Sequence, residues 1–255
     1  MKMKKLVLLG MCSLCTLCLH AQNKSTYEIA FILDDSTSEV DLIVKQIQTE
    51  ILAVVGEDAV VRFPEHLIRY NGYDSDKARR NFSELLNGPS DMIIALGPIN
   101  SYLISEQLDF PKPVIVFGNA LTDLVEWEES RSPKDTENLV NLVSGHSFRL
   151  DIQTFQELFP FDSLGIAVDA AIGSTLPVQE FLDDLADELG ISYTFISFDD
   201  IDEIVANLNG VDALYLNGGF LLNDEEIIEL SEKLIERGIP SFTSTSVRDV
   251  ELGLM

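Results

Sequence analysis

Cysteine is the first thing missing. The chain holds three, Cys12, Cys15 and Cys18, all in its opening segment. Without that segment there is neither disulfide nor thiolate, so stability must come from an apolar core. Histidine is nearly as scarce, with only His66 and His146 beyond the opening segment. No His-x-x-x-His, Glu-x-x-His or cysteine pair is present to hold zinc. The acidic clusters Asp34-Asp35 and Asp199-Asp200-Asp202 lack the calcium-loop pattern of ligands around a central glycine. The phosphate loop G-x-x-x-x-G-K-[ST], the dinucleotide turn G-x-G-x-x-G and the nucleophile elbow G-x-S-x-G are likewise absent. The expectation is therefore a protein with no cofactor, no metal and no enzymatic activity, although carboxylates are numerous enough to supply an acid–base pair.

Positive charge is also in short supply. Against 43 acidic residues stand 17 lysines and arginines, for a formal net charge of −26. A polyanion of this kind repels phosphate backbones and anionic lipid headgroups, which removes nucleic acid and membrane surfaces from the expected partners. The same charge keeps the chain soluble.

What is present begins with Lys2, Lys4 and Lys5, an apolar run from Leu6 to Leu19 and a short polar stretch. That is the pattern of a secretory signal peptide, residues 1–21, cleaved after Ala21, and it predicts an exported, periplasmic protein. The run falls short of the roughly 20 residues a spanning helix needs. Lipoprotein anchoring is the less favoured alternative, because Met11, Leu14 and Leu17, none of them small, precede the three cysteines.

After the signal, short apolar runs alternate with longer runs of helical period. Strands are predicted at Tyr27 to Leu33, Ala59 to Phe63, Met92 to Leu96 and Val114 to Phe117. Helices are predicted at Val40 to Val55, Asp76 to Leu86 and Asn100 to Gln107. An acidic, proline-containing stretch from Thr122 to Asn138, with Trp127 in it, reads as a surface crossover. The rhythm then restarts with helices at Leu150 to Leu158, Pro177 to Leu189, Ile201 to Leu208 and Asp224 to Arg237. The matching strands are Leu164 to Val168, Tyr193 to Ile196, Ala213 to Leu216 and Ser241 to Thr243. Strands without polar alternation, each followed by a helix, predict parallel sheets covered on both faces. The expected architecture is α/β: two similar Rossmann-like lobes, residues 22–122 and 148–255, joined by a crossover or hinge at 123–147, with a cleft between them. A further helix and strand returning to the first lobe are expected after Met255, so the sequence reads as cut short.

In parallel sheets, ligands collect at the carboxyl ends of strands, where loops converge and helix N-termini offer free amides. That rule selects Asp34, Ser36, Gly97, Asn100 and Asn119 in the first lobe. In the second it selects Asp169, Ser174, Asn217, Phe220 and Thr245. The hydroxyls of Ser36, Thr37, Ser101 and Ser174 equally suit helix capping. Gly97, Gly218 and Gly219 suit tight turns. Asp34 reads either as a partner for a ligand ammonium or as a solvated turn acid, the second being favoured. Phe220 suits ligand stacking or the core equally.

Four segments, Asp91 to Pro98, Pro113 to Phe117, Gly210 to Leu216 and Arg237 to Phe242, with Val250 to Leu254 behind them, resemble the ABC-transporter substrate-binding family. Its better-known members bind aromatic amino acids. Phe63-Pro64-Glu65, Ala95 to Pro98, Phe155 to Pro160 and Leu234 to Phe242 are similar to a subgroup associated with TolC-like outer-membrane efflux channels. The resemblance implies a type I periplasmic-binding-protein fold and a module that captures a small, amino-acid-like molecule. Its partner would be a membrane transporter or an outer-membrane channel component. The alternative is a ligand-free interaction domain of an efflux assembly. The sequence departs from importer-associated members at Gly118 to Asp123, which lacks their Asp-Pro, and this leaves ligand identity open.

Overall fold

The computed structural model describes residues 24–119, 137–143, 147–243 and 247–254. The expected signal segment, with Trp127, His146 and Thr245, lies outside them. The first lobe runs β1 (Thr26–Leu33), α1 (Ser38–Val55), β2 (Val60–Arg62), β3 (Ile68–Tyr70), α2 (Ser75–Asn87), β4 (Met92–Leu96), α3 (Pro98–Ser105), β5 (Val114–Asn119) and β6 (Leu139–Val143). Its strands are all parallel, in the order β2-β1-β4-β5-β6, with β3 also pairing β1.

Strand β1 shows why the unbroken apolar runs become central strands. Ile29, Phe31 and Leu33 face one core with Val44 of α1, while Ala30 and Ile32 face another with Phe82 and Leu85 of α2 and Ile104 of α3. A strand buried on both faces has no position to give to water, so the alternation of an amphipathic strand vanishes. Thr37 caps α1 by accepting from the Val40 amide, and Asp74 caps α2 by accepting from Lys77. The other end of α2 is closed by a cation. Lys112 Nζ donates to the carbonyls of Leu85, Gly88 and Ser90 at 3.1, 2.7 and 2.7 Å, meeting acceptors that a helix C-terminus leaves open.

The second lobe runs α4 (Phe148–Leu158), β7 (Ser163–Asp169), α5 (Ala170–Thr175), α6 (Val178–Leu189), β8 (Ser192–Phe198), α7 (Ile201–Ala206), β9 (Ala213–Asn217), α8 (Asp224–Arg237), β10 (Ser241–Thr243) and α9 (Val247–Glu251). Its parallel sheet has the order β10-β9-β7-β8. One face packs Leu164, Ile166 and Val168 against Ile152, Phe155, Leu182 and Leu185. The other packs Ala167, Leu214 and Leu216 against Ile204, Ile227, Leu230 and Leu234. Tyr215, 1% exposed, stacks on Phe242 at 5.9 Å and donates its hydroxyl to Asp151.

The two-lobed α/β architecture is as expected, with local differences. Residues 139–143, expected within the crossover, form β6 and extend the first sheet through pairing with β5. Strand β3 and the six-residue helix α5 were not predicted, since neither is long enough to display a period. Helix α9, five residues long, was not predicted either. Among the described residues no helix is long and apolar enough to cross a membrane.

The lobes touch through their helices. Ile99 and Leu103 of α3, Ala78 of α2 and the rings of Tyr73 and Tyr102 belong to the same apolar cluster as Phe148, Ile172 and Leu176 of the second lobe. The contact is apolar, as in a domain interface with its own small core.

Candidate functional site

The carboxyl ends of the two sheets carry the same pair of residues. In the first lobe β1 and β4 are in register at Leu33 and Leu96, so the next residues, Asp34 and Gly97, sit side by side. In the second, β7 and β9 are in register at Val168 and Asn217, so Asp169 and Gly218 sit side by side. Both glycines have φ of +109°, a region that residues with a Cβ rarely enter. Close approach adds to this at Gly97, where a Cβ would lie 2.3 Å from Asp34 Oδ2.

The two acids are used differently. Asp34 is 3% exposed, and its Oδ2 accepts from the Ile99 amide at 2.8 Å, with the Asn100 amide at 3.2 Å from Oδ1. It therefore fills the N-terminus of α3, where Gly97 has no side chain to act as cap. Around it runs a chain of amides. Asn81 donates to Asn71, Asn71 to Asn100, and Asn100 to the Leu96 carbonyl, at 2.8, 2.8 and 2.9 Å. Burial raises the Asp34 pKa to about 7, against the opposing pull of the Ile99 and Asn100 amides and the Asn71 side chain. Asp169 turns to its own helix instead, accepting from the Ala171 and Ile172 amides at 2.9 and 3.3 Å. Burial raises its pKa as well, opposed by those two amides.

Tyr73 stands between the acids. It follows Gly72, and both residues are left-handed, with φ of +66° and +57°. The turn is fixed by the end of β1, where the Asn71 amide donates to Leu33 and the Tyr73 amide to Asp34. Burial and the carboxylates of Asp35, Asp34 and Asp169 all push the tyrosine pKa upward. Beside it a cavity of about 190 Å³ is lined by Asp34, Asp35, Tyr73, Val40, Ile43 and Phe117, with Leu33, Leu96 and Gly97 at its base. Phe117 is 44% exposed.

The remaining sequence-selected residues are placed as follows. Ser36 is exposed, and its amide donates to Asp35. Asn100 is not in a loop but inside α3, 2% exposed, and spent on the amide chain. Ser174 lies inside α5 with its hydroxyl on the Ala171 carbonyl, so the cap is Asp169 and not Ser174. Asn217 is half-buried at the end of β9. Asn119 ends β5 and Phe220 lies in the turn after β9, while their side chains, like Thr245 as a whole, are outside what is described. Asp34 is the clear departure from the sequence reading. It is a buried helix cap, not a solvated acid, because its backbone partners arrive from a helix 65 residues away in the chain.

Tyr73 and Phe117 were not selected from sequence. The Asn71-Gly72 pair is a turn signal that pointed toward the first; nothing distinguishes Phe117 from its apolar strand neighbours. Among the described residues no group of three or more His, Cys, Asp or Glu side chains is arranged to hold a metal ion.

No family model and no curated protein matches the sequence. Solved structures do match. The ABC domain from Streptococcus pneumonia in complex with L-Trp is 19% identical, with a TM-score of 0.58 over 91% of this chain and 78% of its own. A conserved domain protein from Vibrio cholerae is 15% identical, with a TM-score of 0.63 over 91% of this chain and 78% of its own. A branched-chain amino acid ABC transporter from Thermus thermophilus with bound valine is 11% identical, with a TM-score of 0.60 over 90% of this chain and 62% of its own. At these identities the likeness establishes the fold, which is that of the type I periplasmic binding proteins.

Proposed function

We propose that this chain is an exported solute-binding module that captures a small molecule between its lobes and delivers it to a membrane transporter. The observation that carries this reading is the paired Asp–Gly arrangement at the strand ends of both lobes, with an open cavity of acid, aromatic and apolar side chains at the first lobe's pair. Open parallel sheets take ligands at that position. The fold neighbours support it, since those named above include proteins with L-Trp and valine bound. In this reading the lobes are residues 22–122 and 148–255, with β6 of the joining segment built into the first sheet, and Asp34, Asp169 and Tyr73 organise the site. Ser36, Asn119, Asn217, Phe220 and Thr245 remain its candidate contacts, and closing of the lobes follows ligand binding by population shift.

The test is thermal unfolding of the purified protein against amino acids, amines and polyols. A ligand at a hundredfold excess over its dissociation constant stabilises the folded form by about 2.7 kcal/mol. A saturable rise in melting temperature is the expected outcome; a flat response to every class sinks the proposal.

A second reading is favoured by the apolar contact between α3 and α5, which joins the lobes directly. In it the chain is a ligand-free interaction domain of a TolC-like efflux assembly, as the sequence resemblance implies. Co-purification with an outer-membrane channel, with no ligand effect on either, is the outcome that distinguishes it.

A further inference from the structure

We propose that the cavity at the strand ends of the first lobe selects a small organic cation with an apolar or aromatic body and no carboxylate, in preference to an amino acid. The inference rests on the solute-binding reading and names its ligand class. An amino acid brings two charges, and its carboxylate needs a basic side chain or unpaired backbone amides. No lysine, arginine or histidine is among the described residues that line the cavity. Of the helix N-termini beside it, that of α3 is filled, with the Ile99 and Asn100 amides bonded to Asp34, and at that of α1 the Val40 amide is bonded to Thr37. The protein's own acid sits where a ligand carboxylate would go, and Asp35 beside it repels a second one.

The other requirements point the same way. An ammonium group meets the carboxylate of Asp35 and the rings of Tyr73 and Phe117, the combination that holds organic cations through charge and the aromatic quadrupole. Val40, Ile43, Leu33 and Leu96 then line the space for the body of the ligand. A volume of about 190 Å³ matches a single ring or a short branched chain carrying an amine, not a peptide or an oligosaccharide.

The experiment is a titration of the intact protein, followed by calorimetry and melting temperature, with probes matched in shape and differing in charge. These are phenethylamine and choline as cations, L-phenylalanine and L-valine as zwitterions, 3-phenylpropionate as anion and myo-inositol as neutral polyol. The expected result is saturable binding of a cation, with the zwitterion of the same body about a hundredfold weaker, the scale of one like-charge contact near a protein surface. Asp35→Asn and Phe117→Ala should each weaken the cation about tenfold or more while leaving the unliganded melting temperature in place. Both side chains line the cavity and neither is buried in the core. Equal or tighter binding of a zwitterion, the anion or the polyol overturns the ligand class and leaves the solute-binding reading standing. Cation binding that neither variant weakens overturns the site. No binding by any class overturns both.

Discussion

The two lobes repeat one device and wire it differently. Each places an aspartate at the end of its first strand beside a glycine at +109° on the neighbouring strand. In the first lobe the acid reaches across to the helix that follows the glycine, tying together parts of the chain 65 residues apart. In the second it bonds amides two and three residues ahead of itself. The lesson is that a shared position does not fix a shared role. Both acids cap helices, but the long-range one also ties distant parts of its lobe together, whereas the short-range one serves only the helix it begins.

The glycines break this comparison most sharply. Gly97→Ala forces a Cβ to 2.3 Å from a buried carboxylate oxygen, in a backbone region that already resists it. It should cost on the order of 4 kcal/mol or more. Gly218→Ala meets Asp169 Cβ at 3.2 Å, and the backbone conformation dominates its cost of about 1–2 kcal/mol. Urea unfolding of the two variants measures the difference, and equal costs would erase the asymmetry.

The acids come next. Asp34→Ala leaves the Ile99 and Asn100 amides buried and unpaired, with an expected loss of about 3 kcal/mol. Asp169→Ala removes an ordinary cap, with a loss of about 1 kcal/mol.

The pH dependence separates charge from packing. Asp34 titrates near 7 in the folded protein against an ordinary value of 3.8, so between those values the folded state holds a proton that the unfolded state has released. Stability contributed by this group therefore falls as pH rises from about 4 to about 7, and its loss is complete above that window. Asp169, shifted in the same direction by burial, contributes with the same sign. Asp34→Asn should flatten the dependence relative to the natural protein. Melting curves across that range read it, and unchanged slopes would mean that the buried carboxyl does not titrate there.

How much of this was legible depends on distance along the chain. The bounds of α8 and β10 coincide with those expected. There the signals are local, with Asn223 and Glu226 forming a reciprocal cap at one end and Gly238 left-handed at the other. Strand β1 was legible for a similar reason, as an apolar run long enough to exclude water from both faces. The role of Asp34 was not, because nothing near it announces the amides of Ile99 and Asn100. Nor was the position of Tyr73, since a left-handed tyrosine is unfavourable in isolation and is held by the backbone of β1. The sequence rule for parallel sheets selected Asp34 and Gly97, which line the cavity. Which side chains there are spent internally and which face the cavity is a tertiary property.

Lys112 offers a last consequence. In a chain so poor in cations, this ammonium is turned inward onto three carbonyls at the junction of α2 and β4, and burial lowers its pKa. An amine-reactive label should therefore modify exposed lysines such as Lys45 and Lys77 rapidly and Lys112 more slowly, with a rate that rises as that junction opens. The protein thus carries a built-in chemical clock for breathing of its first lobe, readable by mass spectrometry residue by residue and without any engineered probe.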